Sequence, residues 1–239
     1  MKQPQHSSTP GTSLAKNPLE QAIGAYEKKA REIFKHDPAD GPLTAESRER
    51  KRQRALVHLT AERAHIGTLE TVQARLDDYR QKARLARDSL LPEGVRQREK
   101  IIAERHHPTK DLVAFMRAEG RPQPSPLHSA HHIVCGRGKT QAMREARQTL
   151  HAVGGIGIND PDNGVWMPRA TKDTPHWATP QTPPHSRIHT KGYEGWVVNR
   201  IRLGSDENSM RTQLQIMGRQ LEEGTLPKGI IKGKLENTV

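Results

Sequence analysis

Apolar positions recur at helical spacing through the first half of the chain and lose that period near residue 120. Between Pro18 and about His36, the residues Leu19, Ile23, Tyr26, Ala30, Ile33 and Phe34 share one helical face, with Asn17 and Pro18 as cap and first helical residue. This predicts a short amphipathic helix. DPADGPL (37–43) interrupts it, and Thr44 opens a longer period through Leu56, Leu59, Ile66, Leu69, Val72, Leu76, Tyr79 and Ala83 to Leu90. One long helix is expected there, with Gly67 the place for a kink. Pro92 and Gly94 break the pattern again, and VRQREKIIAER (95–105) and TKDLVAFMRAEG (109–120) predict two short helices parted by Pro108. After GRPQPSP (120–126), Gly, His, Trp and Pro become frequent and the apolar runs shorten. Strands are expected around 130–135 and 165–167, with a helix over 140–152 between them. The pattern therefore predicts an α+β chain in three parts: a disordered tail over 1–17, a helical region over 18–120, and a second domain over 121–239.

Composition narrows the function. Hydrophobic residues make up 32% of the 239, with three Trp, three Tyr and two Phe, so a dense core cannot span the whole length. Lys and Arg number 39 against 27 Asp and Glu, a net charge of +12, which points to a polyanionic partner. The excess is shared equally between the regions before and after residue 120. A single cysteine, Cys135, excludes an internal disulfide and a zinc knuckle of paired Cys-x-x-Cys arms. Any metal must use His, Asp, Glu or Asn. No apolar run reaches membrane-spanning length, and the polar N-terminus is not expected to be a Sec signal.

Histidines carry the chemistry. His131 and His132 are adjacent in a β-prone run, and in a strand they point to opposite faces, which suits one to bind a metal and the other to reach a water. GIGINDPDNGVWMP (155–168) follows, with Asn163-Gly164 as a turn signal and Asn163 able to brace a loop without adding charge. Thr182-Pro183-Pro184 reads as a helix start, which would place His185 and His189 one turn apart on a face continued by Tyr193 and Trp196. Three histidines from two elements would leave coordination positions open, the layout of a catalytic site.

The order His-His-Ile, Asn in an Asn-Gly turn, then His-x-x-x-His resembles the HNH and endonuclease VII superfamily of ββα-metal nucleases, and the Ala-His-His opening is similar to its AHH branch of bacterial polymorphic-toxin nucleases. The resemblance covers roughly residues 126–203. It implies a helical N-terminal region followed by a small ββα-metal domain, with His131, His185 and His189 as ligands of one divalent ion (Mg, Mn, Ni or Zn), His132 as general base, and Asn163 as the residue that orients the base-bearing loop. It further implies hydrolysis of DNA, or of RNA, to a 5′-phosphate and 3′-hydroxyl. A toxin of this kind implies an acidic immunity protein, a secretion-system carrier docked on the N-terminal helices, synthesis in the bacterial cytoplasm, export without a Sec signal, and action in the cytoplasm of a target cell. Since every site residue follows the 120–126 linker, a chain starting near Arg121 is expected to carry the chemistry alone.

Plainer readings compete. His106-His107 ends a charged helix and is expected to be solvated, as are His128, His151 and His176 unless one substitutes as a ligand. Cys135, Trp166 and Trp196 are expected to be core residues. GRGKT (136–140) lacks the first glycine of a phosphate loop, because that position is Ile133, although Arg137 and Lys139 remain able to contact phosphate. RERKRQR (48–54) reads as a solvated helix face, or as the working surface of a non-catalytic nucleic-acid-binding or adaptor protein. A structural zinc-bearing module is a third possibility.

Overall fold

The computed structural model describes residues 18–34, 45–105 and 109–231. The tail expected over 1–17, the Thr44 cap and His106-His107 lie outside them. The chain forms two compact units, Met1–Thr68 and Leu69–Val239. In the first, the predicted helices appear as α1 (Pro18–Phe34) and the opening of α2 (Ala45–Asp88). The described part of RERKRQR is exposed.

The second unit takes the later turns of α2, then α3 (Pro92–Ile102), α4 (Lys110–Ala118), β1 (His128–His132), α5 (Gln141–Ala152), β2 (Gly164–Pro168), α6 (Lys191–Ile201) and α7 (Glu207–Glu222). Caps explain several boundaries. Pro92 begins α3 where its missing N–H costs nothing, Thr140 Oγ1 accepts the Met143 N–H to start α5, and Thr190 does the same for the Tyr193 N–H of α6. An Asp206–Ser209 capping box opens α7.

The sheet is one antiparallel pair, β1 against β2, with His131 opposite Val165 and His132 opposite Gly164. β1 begins two residues before the predicted run and stops at His132. Ile133 leaves the ladder, donating its N–H to Asn163 O beyond the start of β2. The larger core gathers Ile133, Val134, Met143, Leu150, Val165 and Met167 with Tyr193 and Val197 of α6 and Met210, Leu214 and Met217 of α7. A smaller one joins Leu112 and Met116 of α4 to Ala130 and Trp166.

That smaller core changes the domain picture drawn from composition. The change at residue 120 is not a break in packing. A Cβ at Gly164 would come within 2.8 Å of Met116 Sδ and Leu112 Cδ1, so the glycine lets α4 lie directly on the start of β2. The Trp166 indole N–H donates to Arg121 O, and the Arg121 guanidinium donates to Pro161 O and Gly164 O. Arg80 of α2 reaches Glu119 and Asp160. The two compact units part inside α2, and the helices after residue 68 pack with the sheet.

Candidate active site

β1 sorts its two histidines by the alternation of a strand, as the sequence predicts. Both are buried, at 2% and 5% exposure, so neither is a solvated loop residue. His131 faces His185 and His189, with ring centroids at 4.8 and 5.2 Å, while those two lie 4.9 Å from each other. One ligand nitrogen from each lies within 4.8 Å of the others. Four-coordinate zinc, with bonds of about 2.0–2.1 Å, sets its ligand nitrogens about 3.3 Å apart. His185 Nε2 and His189 Nε2 are 2.9 Å apart, a little closer than that spacing.

Neighbouring hydroxyls select the nitrogens. Tyr193 Oη donates its one proton to Ile133 O at 2.9 Å, so at 2.8 Å from His131 Nε2 it accepts, leaving the His131 lone pair on Nδ1. Ser129 Oγ lies 3.0 Å from His185 Nδ1, which turns His185 Nε2 toward His189. Such contacts orient metal-binding imidazoles and choose their tautomers. Burial, reinforced by the imidazoles of His185 and His189, drives the His131 pKa well below the usual histidine range. It is therefore neutral, the form that binds a cation.

The local structure around His185 and His189 differs from the predicted helix. His185–Arg187 is a single 3-10 turn, His189 lies in the connection after it, and α6 starts only at Lys191. The helix-start signal read at Thr182 belongs to Thr190, and Thr182 Oγ1 instead donates to Glu222 O. The imidazoles still converge, through a tight turn rather than one helical face.

Asn163 is fully buried and braces the loop after β1. Its Oδ1 accepts the Val134 N–H at 2.8 Å, and its Nδ2 donates to Ile158 O and Val134 O. It makes no hydrogen bond to His132. Asn159 does, with Oδ1 2.9 Å from His132 Nε2, and the sequence reading missed it. The available signal was a second asparagine four residues upstream in the same turn-rich segment. Ser129 was also missed, although strand periodicity places it on the His131 face.

Asp160, beside Asn159, anchors this loop. It is 1% exposed and accepts from both Arg80 and Arg211 at 3.0–3.2 Å. Burial alone would raise its pKa, but the two guanidiniums outweigh that and hold it below the usual carboxylate range. GRGKT is likewise occupied from within. Glu194 of α6 accepts from the N–H groups of Lys139 and Thr140 and from the Thr140 hydroxyl, so a protein carboxylate sits where a phosphate would bind the α5 N-terminus.

Ala130, His131, His132, Cys135, Gly136, Arg137, His185 and His189 line one pocket. Burial pushes the Cys135 thiol up to about 12, so it stays protonated and unreactive. Trp196 is buried, and the His128 ring is held between Ser125 and Thr179 outside the cluster.

No curated protein and no solved structure matches the chain. No helix among the described residues is long and apolar enough to cross a membrane. Residues 112–221 match the family described as AHH, a nuclease family of the HNH/ENDO VII superfamily with conserved AHH. The matched segment includes Ala130-His131-His132, the Asn163-Gly164 turn, His185 and His189, so the similarity to AHH nucleases covers the imidazole cluster and the loop beside it.

Proposed function

We propose that the protein is a metal-dependent endonuclease, acting on DNA in preference to RNA, and that His131, His185 and His189 hold one divalent ion beside His132 as general base. The observation that carries this reading is the convergence of three imidazoles on a pocket that His132 also lines. A bound ion would supply Lewis-acid stabilisation of charge on the departing oxygen. The chain does the rest. His132 accepts a proton from water as the water oxygen forms its bond to phosphorus, and the P–O3′ bond opposite breaks to give a 5′-phosphate and a 3′-hydroxyl that takes up a solvent proton. Asn163 holds the loop behind the base, and Arg137 offers the scissile phosphate a cation.

The biological setting we infer is that of an antibacterial toxin or secretion-system effector. The net charge of +12 supports it, because attraction to chromosomal phosphates needs no sequence readout. An acidic immunity protein would cover the cationic cleft and gain association rate from opposite charge. The N-terminal helical unit ahead of Leu69 would serve the delivery carrier.

Plasmid DNA and RNA incubated with full-length protein, in excess EDTA and then with Mg²⁺, Mn²⁺, Ni²⁺ or Zn²⁺ restored, test the chemistry. Cleavage lost on chelation and regained with metal is expected. Binding without cleavage under every condition would leave the adaptor reading. Expression in bacteria tests the setting: plating efficiency should collapse on induction and recover with His132→Ala, and normal growth with soluble, metal-competent protein would remove the toxin role.

A further inference from the structure

The His132 side of β1 leads away from the imidazole cluster to residues that precede the family match. Asn159 Oδ1 lies 2.9 Å from His132 Nε2, and Asn159 Nδ2 donates to Glu104 Oε1 at 2.9 Å and to Arg105 O at 3.3 Å. Carboxylate and main-chain carbonyl oxygens only accept, so the NH₂ end of the amide must face them and its oxygen must face His132. An amide oxygen only accepts as well. His132 must therefore carry a proton on Nε2, and its neutral ring has the lone pair on Nδ1.

Glu104 is itself held. Tyr79 Oη donates to Glu104 Oε2 at 2.6 Å and accepts the Asn159 N–H at 3.1 Å. Burial and the adjacent Glu104 charge push the Tyr79 phenol far above its ordinary range, which keeps it a donor. A Cβ at Gly157 would overlap the Tyr79 hydroxyl, so glycine there lets the phenol come close to the loop. Arg147 of α5 donates to Glu104 O.

We propose that Glu104 and Tyr79 are positioning residues for His132, which act through Asn159 to set the orientation and tautomer of the imidazole and so make Nδ1 the proton-accepting nitrogen. The proposal rests on His132 being the base. Tyr79 lies on α2 and Glu104 just after α3, so helices ahead of residues 112–221 complete the site.

The test uses the full chain, ¹⁵N-labelled, with the His132 ring signals identified by their loss in His132→Ala. The wild-type ring should show its proton on Nε2. In Glu104→Gln, the carboxamide offers one acceptor where Asn159 and Tyr79 need two, so the ring should shift toward a mixture of tautomers. Metal-supported DNA cleavage should then lose about 10- to 100-fold in kcat, with KM little changed. Tyr79→Phe should move both readouts the same way by less, and it carries the test if Glu104→Gln does not fold. A wild-type ring protonated on Nδ1, or an unaltered tautomer and kcat in both variants, would overturn the proposal. If no wild-type cleavage occurs with any metal, the nuclease reading fails instead, and the ring measurement still decides the relay.

Discussion

On one side of β1, His131 meets two imidazoles, the Tyr193 hydroxyl and a buried core, with no carboxylate hydrogen-bonded to it among the described residues. On the other, His132 meets Asn159, behind which stand Glu104 and Tyr79. The rings are adjacent in sequence and similarly buried, yet their surroundings suit opposite tasks. Three converging imidazoles, with His131 held neutral by burial, are the donor set that the proposed ion would use. An amide backed by a carboxylate accepts the hydrogen bond from Nε2–H and would stabilise the positive ring that the proposed base becomes. Strand alternation separates the two rings, and the elements packed on each face give them different surroundings.

The largest expected effect comes from removing one side. A chain beginning at Arg121 loses Tyr79, Glu104, Leu112 and Met116 together, and should show no cooperative thermal transition and no cleavage. A chain beginning at Leu69 should keep both, because it retains the whole second unit. Full activity from residue 121 onward would show that the His132 side needs no helical backing.

Single substitutions sharpen the contrast. His132→Ala should lower cleavage by about 10²–10⁴-fold while calorimetry still finds metal bound at wild-type affinity. His185→Ala should depress metal affinity and activity together. Metal loss in the first variant with cleavage kept would mean that His131 and His132 have exchanged roles. Ser129→Ala, which frees the His185 ring, should weaken metal binding by about 10- to 100-fold without altering the His132 tautomer.

The last effect is on stability and concerns a histidine that neither side uses. His151 on α5 is 2% exposed, its ring nitrogens have no hydrogen-bond partner among the described residues, and its pKa is lowered to about 4 by burial and by Arg98 and Arg87. The unfolded chain takes up a proton at this residue near pH 6.5, whereas the folded one does not until about pH 4. Across that window the unfolded state binds more protons, so stability falls as pH falls, by about 3 kcal/mol from this residue. Urea unfolding at several pH values should show this slope, and His151→Leu should flatten it.

The helices of the first half and α5 were legible because apolar spacing is a local signal. Cap signals were less decisive: Pro92 reads as a break but begins α3, Thr182 reads as the cap that Thr190 supplies to α6, and α7 was not read from the sequence at all. The convergence of His131, His185 and His189 was legible from a four-residue spacing, although a 3-10 turn and not a helical face brings the last two together. Asn159 was not, since nothing local separates it from Asn163: one of two asparagines in a single loop braces the main chain and the other meets His132.

The sequence by itself determined the residue types and their order: an Ala-His-His strand, an Asn-Gly turn, a His-x-x-x-His segment, one cysteine and a strong positive charge. These follow from composition and from periods only a few residues long. Only the tertiary structure decided that residue 120 is no packing boundary, that Asp160 is locked between Arg80 and Arg211, and that Glu104 and Tyr79 stand behind His132. These contacts join residues 25 to 80 positions apart. Whether such groups meet depends on how α2, α4 and α7 pack on two short strands, and burial then makes each unpaired donor or acceptor costly enough to hold the arrangement.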